Sequence, residues 1–399
     1  MKIAILSTLM FDNSIGGVEN HIRFMCREMI LQGHEIMLFK PVWSDKYNSE
    51  PRRIHGIPIT LINAGNRIFN LNQWSGEGIV GLLAAFFEKS QYTLGNKKVV
   101  QIISEWDPDL VWQHDFSSNW LASRILSRKF PVVLTNHTGE YLFLNKWIIG
   151  QILLGFLLEH YHAVIGPSRE LTPKFIKYSY TIHNGVDLDF FKPIKSSLKP
   201  DLKERLFGVK EKYIVFCPRR WAPTKGIIIF ARAIKWISEN YSNASDILVV
   251  FAGSDDPQYP KYVDQINNII NQQNVPTLKL GNLDPYDLVS FYQAADLVVI
   301  PSLMEAVSLA ALESMGCGVP VLSTCVGGMP EIIEDEKTGY LVEPGQPIPL
   351  AKSIIKLYES KNQEDVVERS LKMVRSKYDW SVVARNTEKI LNDVFERSQ

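Results

Sequence analysis

Two carboxylates eight residues apart, Glu305 and Glu313, lie in the segment Pro301-Ser302-Leu303-Met304-Glu305-Ala306-Val307-Ser308-Leu309-Ala310-Ala311-Leu312-Glu313-Ser314-Met315-Gly316-Cys317-Gly318-Val319-Pro320. The apolar run Leu297–Ile300 before it reads as a buried strand, and a helix is expected to start near Val307. Ligands of open α/β sheets gather beyond the carboxyl ends of strands, which is where Glu305 falls. The backbone N–H groups of Ser308 and Leu309 have no partner inside such a helix and would face an anion. A loop acid and an acid two turns into the helix can bracket an extended ligand. The plainer alternative is a helix-start acid favoured by the dipole, followed by a solvated helix acid.

A second segment, Pro218-Arg219-Arg220-Trp221-Ala222-Pro223-Thr224-Lys225-Gly226, follows the apolar run Tyr213–Cys217 and opens a helix over Ile227–Ile237. Arg220 and Lys225 stand five apart across a Pro-containing turn, so both heads can converge beyond the strand end. Arginine offers a bidentate fork to phosphate, and lysine adds a point charge. A solvated basic loop would carry the same residues. That alternative loses ground because the acidic and basic segments fall at the same edge of one sheet.

The elements that must position these groups are short apolar strands alternating with helices along the whole chain. Strands are expected at Ile3–Ser7, Glu35–Phe39, Asp109–Gln113, Pro131–Thr135, Ala163–Gly166 and Thr181–His183. The second half repeats the rhythm with Tyr213–Cys217, Ile247–Ala252, Thr277–Leu280, Leu297–Ile300 and Val319–Ser323. Strands with helices between them imply parallel, doubly wound sheets, and two series in tandem imply two Rossmann-like domains. The join is placed at Leu188–Pro200, a polar stretch with Pro193, Ser196, Ser197 and Pro200. That gives an N-terminal domain over residues 1–190 and a C-terminal domain over 191–379.

Composition narrows the class. The 399 residues are 46% hydrophobic and 22% charged, ordinary values for globular domains. Lys plus Arg and Asp plus Glu both number 43, so no basic surplus points to nucleic acid. Cys26, Cys217, Cys317 and Cys325 have no metal-like spacing, and a reducing, cytoplasmic setting is the simple reading. Met1–Leu6 reads as a strand and not as a signal peptide. Trp147–Leu158 is almost uniformly apolar but too short to span a bilayer; it is either a buried helix or a peripheral membrane contact. Ile79–Phe87 raises the same question more weakly. Asp107-Pro108-Asp109 and Asp187-Leu188-Asp189 spell an Asp-x-Asp, read here as coincidence, and no metal is expected. All eight histidines precede residue 184, so any proton handling is expected in the first domain; His114, at a strand end, is better placed for it than His34.

Taken together, the segments resemble the retaining nucleotide-sugar glycosyltransferases of family 4, which have the GT-B fold. The family carries a Glu, seven residues and a second Glu, here Glu305 and Glu313, followed by a small-residue run like Ser314–Val321. The basic loop is similar to the family's Gly-Arg-Leu…Lys-Gly, with Arg220 and Lys225 in the Arg and Lys places. Gly16-Gly17-Val18-Glu19, Thr135-Asn136-His137-Thr138, His183-Asn184-Gly185-Val186-Asp187 and Gly327-Gly328-Met329-Pro330-Glu331 agree in order, so the resemblance covers nearly the whole chain.

The resemblance implies two Rossmann-like domains facing each other across a cleft, with a last helix over 380–399 packing back on the first domain. It implies transfer of a sugar from a nucleoside diphosphate donor, UDP- or GDP-linked, to a hydroxyl acceptor in polysaccharide or glycolipid assembly, without a cofactor. Arg220 and Lys225 would hold the diphosphate, Glu313 the ribose hydroxyls and Glu305 the sugar hydroxyls. The amides near Ser308 and Leu309 would help hold phosphate. Gly17 would let the backbone approach the donor, and His137 would touch the sugar or position the reacting groups. The alternatives are a nucleotide-sugar 2-epimerase of the same fold and a non-catalytic sugar-nucleotide-binding subunit. Two departures stand out: Ala306-Val307-Ser308 replaces a frequent Gly-Phe-Gly, and Arg219 replaces the Gly before the clamp arginine.

Overall fold

Strands such as Leu297–Ile300 and Ile247–Ala252 are apolar and buried at every position, the pattern of parallel strands covered on both faces. A computed structural model of the chain, which describes residues 1–8, 17–43, 51–64, 96–137, 139–360 and 363–399, arranges them in two sheets. The chain divides into two compact units, residues 1–184 with 380–399, and residues 185–379. The division precedes the expected join because Val186 donates its N–H to the Tyr378 carbonyl at 2.7 Å, pairing the start of the second unit with its end. Gly16, Thr138 and the stretch Ile79–Phe87 lie outside the described residues.

In the first unit the strands are β1 (Lys2–Leu6), β2 (Glu35–Val42), β3 (Pro51–Ile54), β4 (Ile57–Asn63), β5 (Leu110–His114), β6 (Val132–Thr135), β7 (Ala163–Gly166) and β8 (Ser179–Thr181). They lie in the order β3-β4-β2-β1-β5-β6-β7-β8. All pairings are parallel except β3 with β4, a hairpin absent from the sequence reading. Its turn is His55-Gly56, both at positive φ, as hairpin turns require. The final helix, Trp380–Ser398, belongs to this unit. His34 ties it to the first helix, Gly17–Leu31, through a 2.9 Å contact with Glu388.

The second unit holds β9 (Tyr213–Pro218), β10 (Ile247–Ala252), β11 (Thr277–Lys279), β12 (Leu297–Ile300), β13 (Val321–Thr324) and β14 (Tyr340–Val342). Their order, β11-β10-β9-β12-β13-β14, is all parallel and matches the dinucleotide-binding type of doubly wound sheet. Side chains alternate between two cores. Ile214, Phe216, Val250 and Val298 face one, while Val215, Cys217, Val249 and Val299 face the other. The chain order reverses between β9 and β12, so the loops after these two strands meet at the carboxyl edge.

Several bland readings are now concrete. Asp109 accepts the Lys2 N–H at 2.6 Å, and Asp107 pairs with Lys129 at 2.9 Å. Asp187 accepts the Asp189 N–H at 3.2 Å as a local turn. The four cysteines are free, and Cys26, Cys217 and Cys317 are buried. Among the described residues no helix is long and apolar enough to cross a membrane.

Candidate active site

The loop after β9 and the loop after β12 are zipped together by their backbones. Leu303 and Met304 donate N–H groups to the Thr224 carbonyl at 2.8 and 3.2 Å. Gly226 makes this approach possible: its φ is 67°, and a Cβ there would lie 1.8 Å from the Pro301 carbonyl oxygen. Gly253, at φ 118°, likewise lets the backbone of Arg219 and Arg220 pass within 2.5–2.8 Å of where its Cβ would stand. Trp221 is fully buried and donates its backbone N–H to the Ser254 carbonyl at 2.9 Å, which fixes the start of the basic loop.

The result is a tight ionic cluster. The Arg219 guanidinium donates to Glu305, and to Ser308 Oγ at 2.9 Å; Lys225 Nζ donates to Glu305 Oε2 at 2.9 Å. Ser302 Oγ also approaches the same oxygen, at 3.2 Å. The three contacts made to Glu305 all fall on Oε2. Burial opposes ionisation of Glu305, yet Arg219, Lys225 and Ser302 outweigh it and hold the acid below its usual range. Burial and the neighbouring Arg219 push the Lys225 ammonium down, against the pull of Glu305.

Arg219 is the residue that the sequence left without a direction. It takes the inner place, while Arg220 stands at the rim, 61% exposed and 3.6 Å from Asp256. The structure therefore brings together Arg219, Lys225 and Glu305, with Arg220 outside them. The helix expected near Val307 begins at Leu309, and Ser308 is its cap, buried and turned to Arg219.

Glu313 is not solvated. It projects from the helix Leu309–Gly316 into the interior, where Tyr292 Oη donates to Oε2 at 2.7 Å. Burial raises its pKa to about 7, although the Tyr292 bond and Arg219 pull the other way. Nothing in the sequence singled out Tyr292, which lies 21 residues earlier on the helix Pro285–Ala294.

In the first unit, Gly17 opens the helix Gly17–Leu31 and is exposed. His137 follows β6 and meets His114, the last residue of β5, with 3.1 Å between its Nε2 and the His114 Nδ1. His21, which the sequence reading passed over, completes the group from the first turns of the helix Gly17–Leu31. Its ring lies 4.7 Å from that of His137, and its Nδ1 is 2.9 Å from Asn184 Oδ1. Burial lowers the His21 pKa to about 4 and holds His114 and His137 well below the usual value. A His at the fifth helical position, among Ile22, Met25 and Cys26, carried the only hint of inward orientation.

The three imidazoles offer one nitrogen each within 4.8 Å of one another, the ligand types of a tri-histidine metal site. Tetrahedral zinc ligands stand about 3.3 Å apart. The His114–His137 contact meets that spacing; Nδ1 of His21 is engaged by Asn184, whereas its Nε2 is buried without a hydrogen-bond partner.

Residues 15–190 match the model of Glycosyltransferase Family 4, and residues 199–373 that of Glycosyl transferases group 1. The uncharacterized glycosyltransferase MJ1607 of Methanocaldococcus jannaschii is 34% identical over 407 residues, 97% of each chain. The chain belongs to glycosyltransferase family 4. This glycosyltransferase is also 27% identical, over 206 residues, to the lipopolysaccharide 1,2-N-acetylglucosaminetransferase of Salmonella typhimurium, a match spanning 51% of this chain and about half, 54%, of that one. Among solved structures, Anabaena Alr3699/HepE in complex with UDP and glucose superposes with a TM-score of 0.71 over 98% of this chain and 99% of that one, at 20% identity. That likeness shows the GT-B fold, two α/β Rossmann-like domains, for this glycosyltransferase.

Proposed function

We propose that this glycosyltransferase moves a sugar from a UDP- or GDP-linked donor to a hydroxyl acceptor with retention at the anomeric carbon. The observation that carries the reading is the convergence of Arg219, Lys225 and Glu305 at the switch point of the second sheet. Departure of a nucleoside diphosphate builds negative charge, and preorganised cations stabilise it most where water is excluded. Arg219 is the more buried of the two cations on Glu305, 10% exposed against 23% for Lys225, so Lys225 and the rim residue Arg220 are assigned to the diphosphate, helped by the amides of Ser308 and Leu309. Oε1 of Glu305 is assigned to a sugar hydroxyl and Oε1 of Glu313 to the ribose. Gly17 is assigned to close approach of the donor, and His137 to the reacting sugar.

In the step itself, the bond between the anomeric carbon and the phosphate oxygen breaks as the acceptor oxygen bonds to that carbon from the same face. The departing phosphate takes the acceptor proton. The cations supply the charge, and no metal is assigned. Support for a uridine donor comes from the UDP bound by HepE, and support for polysaccharide or glycolipid assembly from the name of the Salmonella lipopolysaccharide enzyme; a cytoplasmic setting is part of the proposal.

The test is chromatography of nucleotide products from a panel of UDP- and GDP-sugars, with and without alcohol acceptors. Acceptor-dependent release of nucleoside diphosphate, with a product whose anomeric coupling constant matches the donor's, is the expected result. An isomerised donor formed without acceptor would make the chain an epimerase. Binding without any turnover would make it a non-catalytic subunit.

A further inference from the structure

The helix Ile148–Leu158 contains no charged residue and buries only Gly150, Leu154, Leu157 and Leu158. The opposite face is bare. Ile148, Ile149 and Ile152 are 79%, 82% and 70% exposed, Phe156 about half, and Leu153 over a third. At 100° per residue these five side chains cover a continuous arc of about 140° with no polar interruption. Trp147, at the start of the helix, is also exposed. Apolar residues scattered singly on a surface need no explanation, but a contiguous stripe of this kind marks a contact surface.

The charges around the stripe say what it meets. Lys146 precedes Trp147 in an exposed position, and Arg124 lies over the Phe156 ring, 4.6 Å from its centroid, with Glu159 as its partner at 2.6 Å. A pocket of about 750 Å³ beside the helix is lined by Gln151, Asn145, Lys174, Arg169 and Glu170, and its wall includes Phe175, itself half exposed. An uncharged aliphatic strip, an edge tryptophan and flanking cations are the composition of helices that lie in a bilayer interface. At 11 residues the helix is about 16 Å long, half the thickness of a hydrocarbon core, so it lies along a membrane and does not cross it.

We propose that this face docks on an anionic lipid bilayer, with Ile148, Ile149, Ile152 and Phe156 among the acyl chains and Lys146 and Lys174 against the phosphates. The proposal stands apart from the transfer reaction and does not depend on it. Each cation near an anionic leaflet contributes roughly a fivefold gain in partition.

The test is sedimentation of the full chain with vesicles of neutral phosphatidylcholine and with vesicles containing phosphatidylglycerol, at low and high salt. Binding to the anionic vesicles, weakened by salt, is expected. Ile149→Glu/Ile152→Glu should lose at least tenfold and Lys174→Glu several-fold, while circular dichroism and nucleotide binding stay unchanged. Ile149→Ser/Ile152→Ser serves the same purpose if the charged pair does not fold. Absence of binding, equal binding to both vesicle types, or undiminished binding by the variants would overturn the proposal. So would a wild type that binds no vesicle but becomes monomeric only in the Ile149/Ile152 variants, which would make the face a contact between copies.

Discussion

Arg219 and Glu305, 86 residues apart in the chain, form an ion pair whose side chains are only 10% and 12% exposed. Removing Glu305 strands the Arg219 and Lys225 charges away from water, which costs about 3–5 kcal/mol, whereas removing Arg219 leaves Glu305 paired with Lys225 and costs less. Arg219→Met and Glu305→Gln should each lower the thermal midpoint, and the double variant should lose much less than the sum. Additive losses in that cycle would show that the pair is not coupled.

Glu313 supplies a pH signature. With a pKa raised to about 7 by burial, it is largely protonated below neutrality and becomes a carboxylate as pH rises. If it accepts hydroxyls from the donor, KM for donor should fall as pH rises through about 7. Tyr292→Phe removes a hydrogen bond that favours the carboxylate, so the midpoint should move to higher pH with kcat little changed. A KM profile flat from pH 6 to 8 would contradict the assignment.

The buried histidines make a separate prediction about stability. His21 has a folded pKa of about 4 against an unfolded 6.5, and His114 and His137 are also lowered. As pH falls below 6.5 the unfolded chain binds protons that the folded chain refuses, so stability declines between about pH 6.5 and 4. His21→Gln should show a smaller drop in unfolding midpoint between pH 7.5 and 5 than wild type. An equal drop would mean that His21 takes up its proton in the folded state.

Because the leaving charge is assigned to side-chain cations, exhaustive dialysis against EDTA should leave turnover within twofold. Loss of turnover restored by one divalent metal would instead place an ion among His21, His114 and His137.

Much of this was legible in the letters. The apolar runs placed nine of the parallel strands to within two residues, because strands buried on both faces leave no polar gaps, while β2 was ended three residues early, at Phe39 instead of Val42. Thr181–His183 was drawn about two residues late, since β8 is an edge strand with only half-buried side chains. The hairpin of β3 and β4 was missed because Arg52 and Arg53 lie exposed on an edge and break the apolar signal. Glu305 and Lys225 were singled out by loop position, and the structure brings them together, but which of two adjacent arginines turns inward is decided by the buried Trp221 and by the close passage over Gly253. Such packing has no signature in spacing. Glu313 and Tyr292, and likewise His21 and His137, meet only after the helices pack.

The central claim is that Lys225 and its neighbours form a seat for a nucleoside diphosphate. Isothermal titration of UDP and GDP into wild type and Lys225→Ala tests it most directly. One of the two should bind wild type, and the variant, still folded by circular dichroism, should bind that nucleotide at least tenfold more weakly. Equal affinity in the two proteins, or no binding of either nucleotide to wild type, would contradict it.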